Sequence, residues 1–163
     1  MYITDKYWEN YIGDTDDSLT LVEYLAQKHK EEIPLGEIFS DFGLDKLNGD
    51  LREPDIPLAF TDSKGCEISI AYAIDLIIDL AALLLECKVS GGIDMHELDD
   101  EETSAPAIIR ITATPEENTL INKTLIDFAA TPLAYDLSEM VPEEDMMEMA
   151  VLCEKLRKEL YEQ

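Results

Sequence analysis

The chain has 163 residues, of which 37 are acidic and 12 are lysine or arginine, so its formal net charge is -25. Hydrophobic residues make up 46% of it, enough to fold around a core, which excludes the class of highly charged chains that stay disordered. The acid excess repels nucleic-acid phosphates and anionic lipids and attracts basic proteins, so we expect no direct binding to nucleic acid or to a membrane.

The most apolar run, residues 74–85, is too short to cross a bilayer, which needs about 20 apolar residues, and it contains Asp75 and Asp79. The amino terminus has no basic segment followed by an apolar one, so no secretory signal is predicted and we expect a cytoplasmic protein. Three widely spaced cysteines favour free, reduced and buried thiols over a disulfide framework. They are Cys66, Cys87 and Cys153.

The first quarter of the chain predicts three helices. Residues 4–12 form a short one with Trp8 on its apolar side, and residues 18–28 form the second, after an acidic turn that suits the positive end of a helix dipole. A third helix begins at Pro34 and stops before Gly43, a residue that commonly ends helices.

A β-hairpin is predicted in the middle of the chain. Residues 56–61 and 66–70 are two β-like runs separated by a four-residue turn that ends in glycine. The second run alternates, so we expect Cys66, Ile68 and Ile70 to face the core.

Residues 72–88 predict a central helix, because Ala, Leu and Ile fill it almost completely. Asp75, Asp79 and Glu86 are spaced by four and seven, which places them along one side. Paired carboxylates on a helix can bind metal or perform acid–base chemistry. Their usual partners, a Glu-x-x-His pair and a second carboxylate helix, are absent. The pattern therefore favours a solvent-facing stripe, with a metal-dependent enzyme using Asp75 and Asp79 kept as an alternative.

The carboxyl-terminal third predicts one strand and two helices. Residues 106–113 are rich in β-branched side chains, and residues 114–117 then open a helix with a Thr cap, Pro and Glu. The last helix runs from Pro142 to the end, with Met147 pointing away from its apolar stripe.

Together these elements predict an α+β fold, a single domain over residues 1–163 with a small, mostly antiparallel sheet covered by several helices. The chain has no glycine-rich phosphate loop and no GxSxG motif, and neither His29 nor His96 lies in a catalytic pattern. We therefore expect neither an enzyme nor a bound cofactor or metal.

Two stretches lack lysine and arginine: residues 89–109 hold six acids and residues 124–154 hold eight. Trp8 is added to the partner-binding candidates because tryptophan dominates binding hot spots, although a lone tryptophan is more often a core anchor. An acidic surface that serves only solubility is the alternative. The acidic candidates are Glu97, Asp99, Asp100, Glu101, Glu102, Glu143, Glu144 and Asp145.

Short motifs occur at residues 7–13 (YWENYIG), 16–19 (DDSL), 37–39 (EIF), 41–45 (DFGLD) and 109–117 (IRITATPEE). With them the chain resembles the small acidic immunity proteins that bacteria encode beside polymorphic toxins. The resemblance implies binding and blocking of one cognate toxin, and an acidic surface would suit a basic toxin surface such as a nuclease cleft. A DNA mimic that inhibits a host DNA-binding protein is the other binding function considered. Immunity families span many folds, so no site residue carries over.

Overall fold

Helices and short strands alternate along the chain in an α+β arrangement, as predicted. The computed structural model describes residues 1–9, 11–47, 50–54, 57–62, 64–98 and 107–162. The elements in these parts are α1 (Tyr2–Lys6), α2 (Asp16–Lys28), β1 (Glu32–Pro34), α3 (Leu35–Phe42), β2 (Leu58–Thr61), β3 (Glu67–Ile70), α4 (Ala73–Ser90), β4 (Ile93–Asp94), α5 (Met95–Leu98), β5 (Ile108–Thr112), α6 (Pro115–Ala130) and α7 (Glu143–Tyr161).

The strands form two small sheets where one was predicted. β5 lies between β1, which is parallel to it, and β4, which is antiparallel, while β2 and β3 form a separate antiparallel hairpin. Ile33 pairs with Ile111 and Ile93 pairs with Ile109, and all four are buried. This register turns one face of the three-stranded sheet into the core.

The central helix is α4, as predicted. It is buried nearly all round and packs against α1, α2, α7 and β5, while α6 and α7 pack against each other. The fully buried carboxylate of Glu86 accepts the backbone N–H of Ile3 at 2.9 Å and the hydroxyl of Ser90, so it ties α1 to the end of α4. That residues 1–163 fold as one domain stays a prediction, to be checked by a single cooperative unfolding transition.

The first helix is shorter than predicted. It ends at Lys6, and the chain then makes a tight turn in which the N–H of Glu9 donates to the carbonyl of Ile12 at 2.6 Å. Glu9 and Tyr11 take positive φ values of 71° and 68°, so a continuous helix cannot pass through them. The turn lets Trp8 and Ile12 bury together.

The predicted helix ends are confirmed at the start of α6 and the end of α3, whereas α2 begins at Asp16, two residues earlier than predicted. Thr15 and Ser18 form a reciprocal capping box at the start of α2. Thr114 and Glu117 do the same for α6. Gly43 closes α3 in the left-handed conformation, with φ of 84°.

The cysteine prediction is only partly right. All three thiols are free, but Cys153 alone is buried; Cys87 is half-buried and Cys66 is exposed. Cys66 precedes β3, and its N–H donates to Asp62 Oδ1 at 2.8 Å within the hairpin turn. Its side chain therefore does not share the core face with Ile68 and Ile70.

Candidate functional site

The predicted solvent stripe on α4 is wrong. Asp75, Asp79 and Glu86 are all buried, at most 5% exposed. Helices and turns cover α4 on every side, so these carboxylates need hydrogen-bond partners inside the protein. Their partners decide whether the two aspartates could serve as a catalytic or metal site.

Asp79 is held by donors from the loop before α2 and from α2 itself. The Ser18 hydroxyl donates to Asp79 Oδ2 at 2.6 Å, and the Gly13 N–H donates to Oδ1 at 3.2 Å. Burial raises the pKa of Asp79 to about 7, although both hydrogen bonds oppose the rise. Both oxygens are therefore engaged in joining α4 to α2.

Asp75 is buried beside the carboxyl groups of Asp79 and Asp17. Burial, and next the negative charge of Asp79, raise the pKa of Asp75 to about 9. A pKa this high favours the protonated, neutral form of Asp75 at pH 7. Asp17 meanwhile accepts the N–H groups of Ala71 and Tyr72, at 2.7 and 3.0 Å, where α4 begins. Asp17 thus holds the amino terminus of α4 on α2.

The arrangement gives the metal-enzyme alternative no geometric support. Asp79 accepts hydrogen bonds from protein donors at both oxygens, which is how a buried structural carboxylate is satisfied, and Asp75 lies buried against the neighbouring carboxyl groups. Within the described ranges, no group of three or more His, Cys, Asp or Glu side chains is placed to hold a metal ion.

A surface groove of about 610 Å³ runs beside α6, but its central charges neutralise each other. Arg52 forms a two-bond ion pair with Asp127, at 2.8 and 2.5 Å, and the Tyr135 hydroxyl donates to the same carboxylate at 2.6 Å. These contacts lower the pKa of Asp127, first through Arg52. The ion pair and the tyrosine hydrogen bond therefore hold the walls of this groove together, which is a structural role.

The predicted acidic residues at the start of α7 lie at the surface. Glu143 and Glu144 are exposed and Asp145 is half-buried. The Tyr11 hydroxyl donates to Asp145 Oδ1 at 3.3 Å. A hydrogen bond to Glu148 and burial raise the pKa of Tyr11 to about 12. Among the described residues, no ion pair involves Glu143, Glu144, Asp145 or Glu148.

The second predicted acidic segment is only partly described. Glu97 lies in α5, is exposed, and pairs with the amino group of Met1. Asp99, Asp100, Glu101 and Glu102 lie outside the described residues.

Trp8 belongs to the core. It is 6% exposed, and its indole packs directly over Gly13. A side chain this buried offers a partner almost no surface. Because of its burial, Trp8 is not kept among the candidate contact residues.

Two apolar residues stand out on the outer side of α7. Met147 is 50% exposed and Val151 is 64% exposed, whereas Met146 and Met149 are buried against the neighbouring elements. The predicted off-stripe position of Met147 is confirmed. Val151 was not singled out from the sequence, although its spacing of four from Met147 was the available signal.

A model of the family described as Immunity protein 68 matches residues 2–160 of the chain. The chain belongs to this family. The match spans nearly the whole sequence and confirms the resemblance to bacterial immunity proteins. No curated protein and no solved structure matches the chain.

Membership in the Immunity protein 68 family makes toxin neutralisation the general role of the chain, with a cognate toxin as its partner. An immunity protein acts by inhibition, which agrees with an α4 whose carboxylates are engaged inside the fold. In the parts of the chain that the structure describes, no helix is both long and apolar enough to cross a membrane.

Proposed function

We propose that this Immunity protein 68 member neutralises its cognate toxin by covering a basic surface of the toxin domain with its own acidic surface. The observation that carries the proposal is the excess of exposed carboxylates that lack a cationic partner. Glu143 and Glu144 are exposed at one end of α7, outside every described ion pair.

Many cations of the chain are paired with its own acids. Half of the 12 lysines and arginines form ion pairs with carboxylates in the described parts of the chain. These six are Lys6, Lys28, Lys30, Arg52, Arg110 and Arg157. Because 37 acids share so few cations, the protein presents a net negative field that steers basic partners toward it.

A nuclease domain would suit this surface. Nucleases bind phosphate with clusters of lysine and arginine, and carboxylates can occupy the same positions as phosphates. The acidic residues 97–102 would add to the field on which this depends. The proposal therefore predicts that nucleic acid and the immunity protein compete for the same toxin surface.

The test uses the toxin domain encoded directly beside the gene for this chain. Co-expression of the full chain should restore the growth of cells that the toxin domain arrests, and the two purified proteins should form a complex in a stated low-salt buffer. An acidic protein of equal net charge and unrelated sequence serves as the control and should not protect the cells. Continued arrest in the presence of soluble, folded chain would contradict the proposal.

If the toxin domain proves to be a nuclease, competition with a short DNA duplex or RNA tests phosphate mimicry separately from toxin neutralisation. The complex should release nucleic acid as the chain is added. A ternary complex that keeps bound nucleic acid would contradict phosphate mimicry, while neutralisation itself would stand.

A further inference from the structure

The outer side of α7 carries four exposed residues at helical spacing: Glu144, Met147, Glu148 and Val151. They are separated by three and four positions, so their side chains form one continuous patch. We call this patch the α7 face. The opposite side of the helix packs against α4 and α6 and carries the buried residues of α7.

The fold does not account for the apolar centre of this face. Met147 and Val151 are adjacent at one turn's spacing, and both are at least half exposed. Valine is also a weaker helix former than the alanine, glutamate or lysine that would suit an exposed helical position. Within α7, these residues contribute little to the buried core that holds the helix in place.

The helix dipole accounts for only some of the acidic residues of this part of α7. Carboxylates in the first turn stabilise the positive end of a helix, which suffices for Glu143 and Glu144. Glu148 lies in the second turn, beyond the range of that effect. Its described polar contact is the hydroxyl of Tyr11, an aromatic side chain that lies half-buried beside the face.

We infer that the α7 face is the docking surface for the toxin domain, which meets it with an apolar contact surrounded by lysine or arginine side chains. The inference rests on the proposed function. Charge complementarity selects the partner, because two unpaired carboxylates beside exposed apolar side chains match a basic surface with an apolar centre. The residues also divide in role: the carboxylates speed association, and the apolar pair slows dissociation.

Another part of the surface supplies a matched control. On α2, Leu19 is 69% exposed and Glu23, four positions later, is exposed as well. This pair places one exposed apolar side chain and one exposed acid a helical turn apart, so it carries the two kinds of side chain found on the α7 face. Substitutions there report on general surface charge and hydrophobicity without touching the α7 face.

The experiment measures binding kinetics between the full chain and the toxin domain encoded beside its gene. The apolar variant is Met147→Ser with Val151→Ser, and the charge variant is Glu144→Gln with Glu148→Gln. We expect the apolar variant to dissociate about 30-fold faster or more, as loss of a hot spot does. The charge variant should associate more slowly and show a weaker dependence on salt. The control Leu19→Ser with Glu23→Gln should bind like the unaltered chain.

Failure of the inference and failure of the proposed function give different results. If both α7 variants bind and protect cells as the unaltered chain does, the docking surface lies elsewhere and the inference is overturned, while neutralisation stands. If the unaltered chain itself neither binds the toxin domain nor protects cells, both the proposed function and the inference are contradicted. Circular dichroism and the unfolding midpoint confirm that each variant is folded, as expected for exposed positions.

Discussion

The raised pKa values of the buried Asp75 and Asp79 are the least ordinary feature at the level of single residues. The pKa of Asp75 is raised mainly by burial and next by Asp79, and that of Asp79 is raised by burial to about 7. Asp136 and the buried thiol of Cys153 belong to the same electrostatic neighbourhood, and no described ion pair involves any of these groups. The neutral forms of the two aspartates therefore favour the folded state.

The unfolding free energy should consequently fall as pH rises above about 4, the ordinary pKa of an unfolded aspartate. The unfolded chain then binds fewer protons than the folded one, and each buried proton contributes a slope of about -1.4 kcal/mol per pH unit. For Asp79 the decline continues to about pH 7, and for Asp75 it extends further.

Asp75→Asn tests this directly. The amide can donate to Asp17 without titrating, so the variant should lose less stability than the unaltered chain between pH 5.5 and about 8. Urea denaturation at several pH values measures the difference, with the exposed substitution Asp14→Asn as control. Identical pH profiles for the unaltered chain and Asp75→Asn would show that Asp75 is not held protonated.

The contact between Gly13 and Trp8 allows a second prediction at this scale. Gly13 has φ of 78°, and a Cβ atom there would overlap the indole of Trp8. Gly13→Ala should lower the unfolding free energy by about 2–4 kcal/mol, through backbone strain together with displacement of a packed ring. Gly43→Ala is the control, because Gly43 has φ of 84° but open space around it, so only the strain applies. Equal losses in the two variants would contradict the packing argument; the fluorescence of Trp8, the lone tryptophan, provides the signal.

At the level of elements, α2 is tied to α4 and to the residues just before α4 by side-chain hydrogen bonds. Asp17, one residue into α2, uses both carboxylate oxygens to accept the N–H groups that precede α4. The acceptor for the two N–H groups just before the central helix thus comes from a residue more than 50 positions away in the chain. No pattern local to residues 71–75 could reveal it.

Asp17→Ala should therefore destabilise the protein more than loss of a local cap does. Two part-buried N–H groups would lose their acceptor, which costs about 2–3 kcal/mol, compared with about 1 kcal/mol for the exposed cap removed by Thr114→Ala. Thermal and urea unfolding compare the two variants at pH 7. A loss for Asp17→Ala no larger than that for Thr114→Ala would show that water replaces the carboxylate at no extra cost.

The sequence predicted most helices and the hairpin, because caps, glycine stops and periodicity are local signals. It failed where a tertiary contact decides the outcome. β1 has only three residues, and its parallel partner β5 lies more than 70 positions later. No local pattern in Glu32–Pro34 therefore indicates a strand. The carboxylates of α4 follow the spacing of a solvent stripe, and only the positions of α1 and α2 show that they are buried. At the candidate surface, the acids of α7 were predicted, whereas the exposure of Val151 was missed although its spacing from Met147 indicated it.

At the scale of the whole molecule, charge is the dominant property. A net charge of -25 on 163 residues weakens the folded state through self-repulsion. A toxin that supplies basic side chains would relieve that repulsion when it binds, which links the stability of the chain to its function. Membership in the Immunity protein 68 family implies a cognate toxin as the partner, and a basic surface on that toxin is what we propose.

The most direct test of the account is the association rate of the chain with the toxin domain encoded beside its gene, measured by stopped flow over a range of salt concentrations. Electrostatic steering predicts a fast rate at low salt that falls roughly tenfold or more by about 0.5 M salt, while the dissociation rate changes much less. An association rate that is the same at low and high salt would contradict the claim that the acidic surface recognises the toxin.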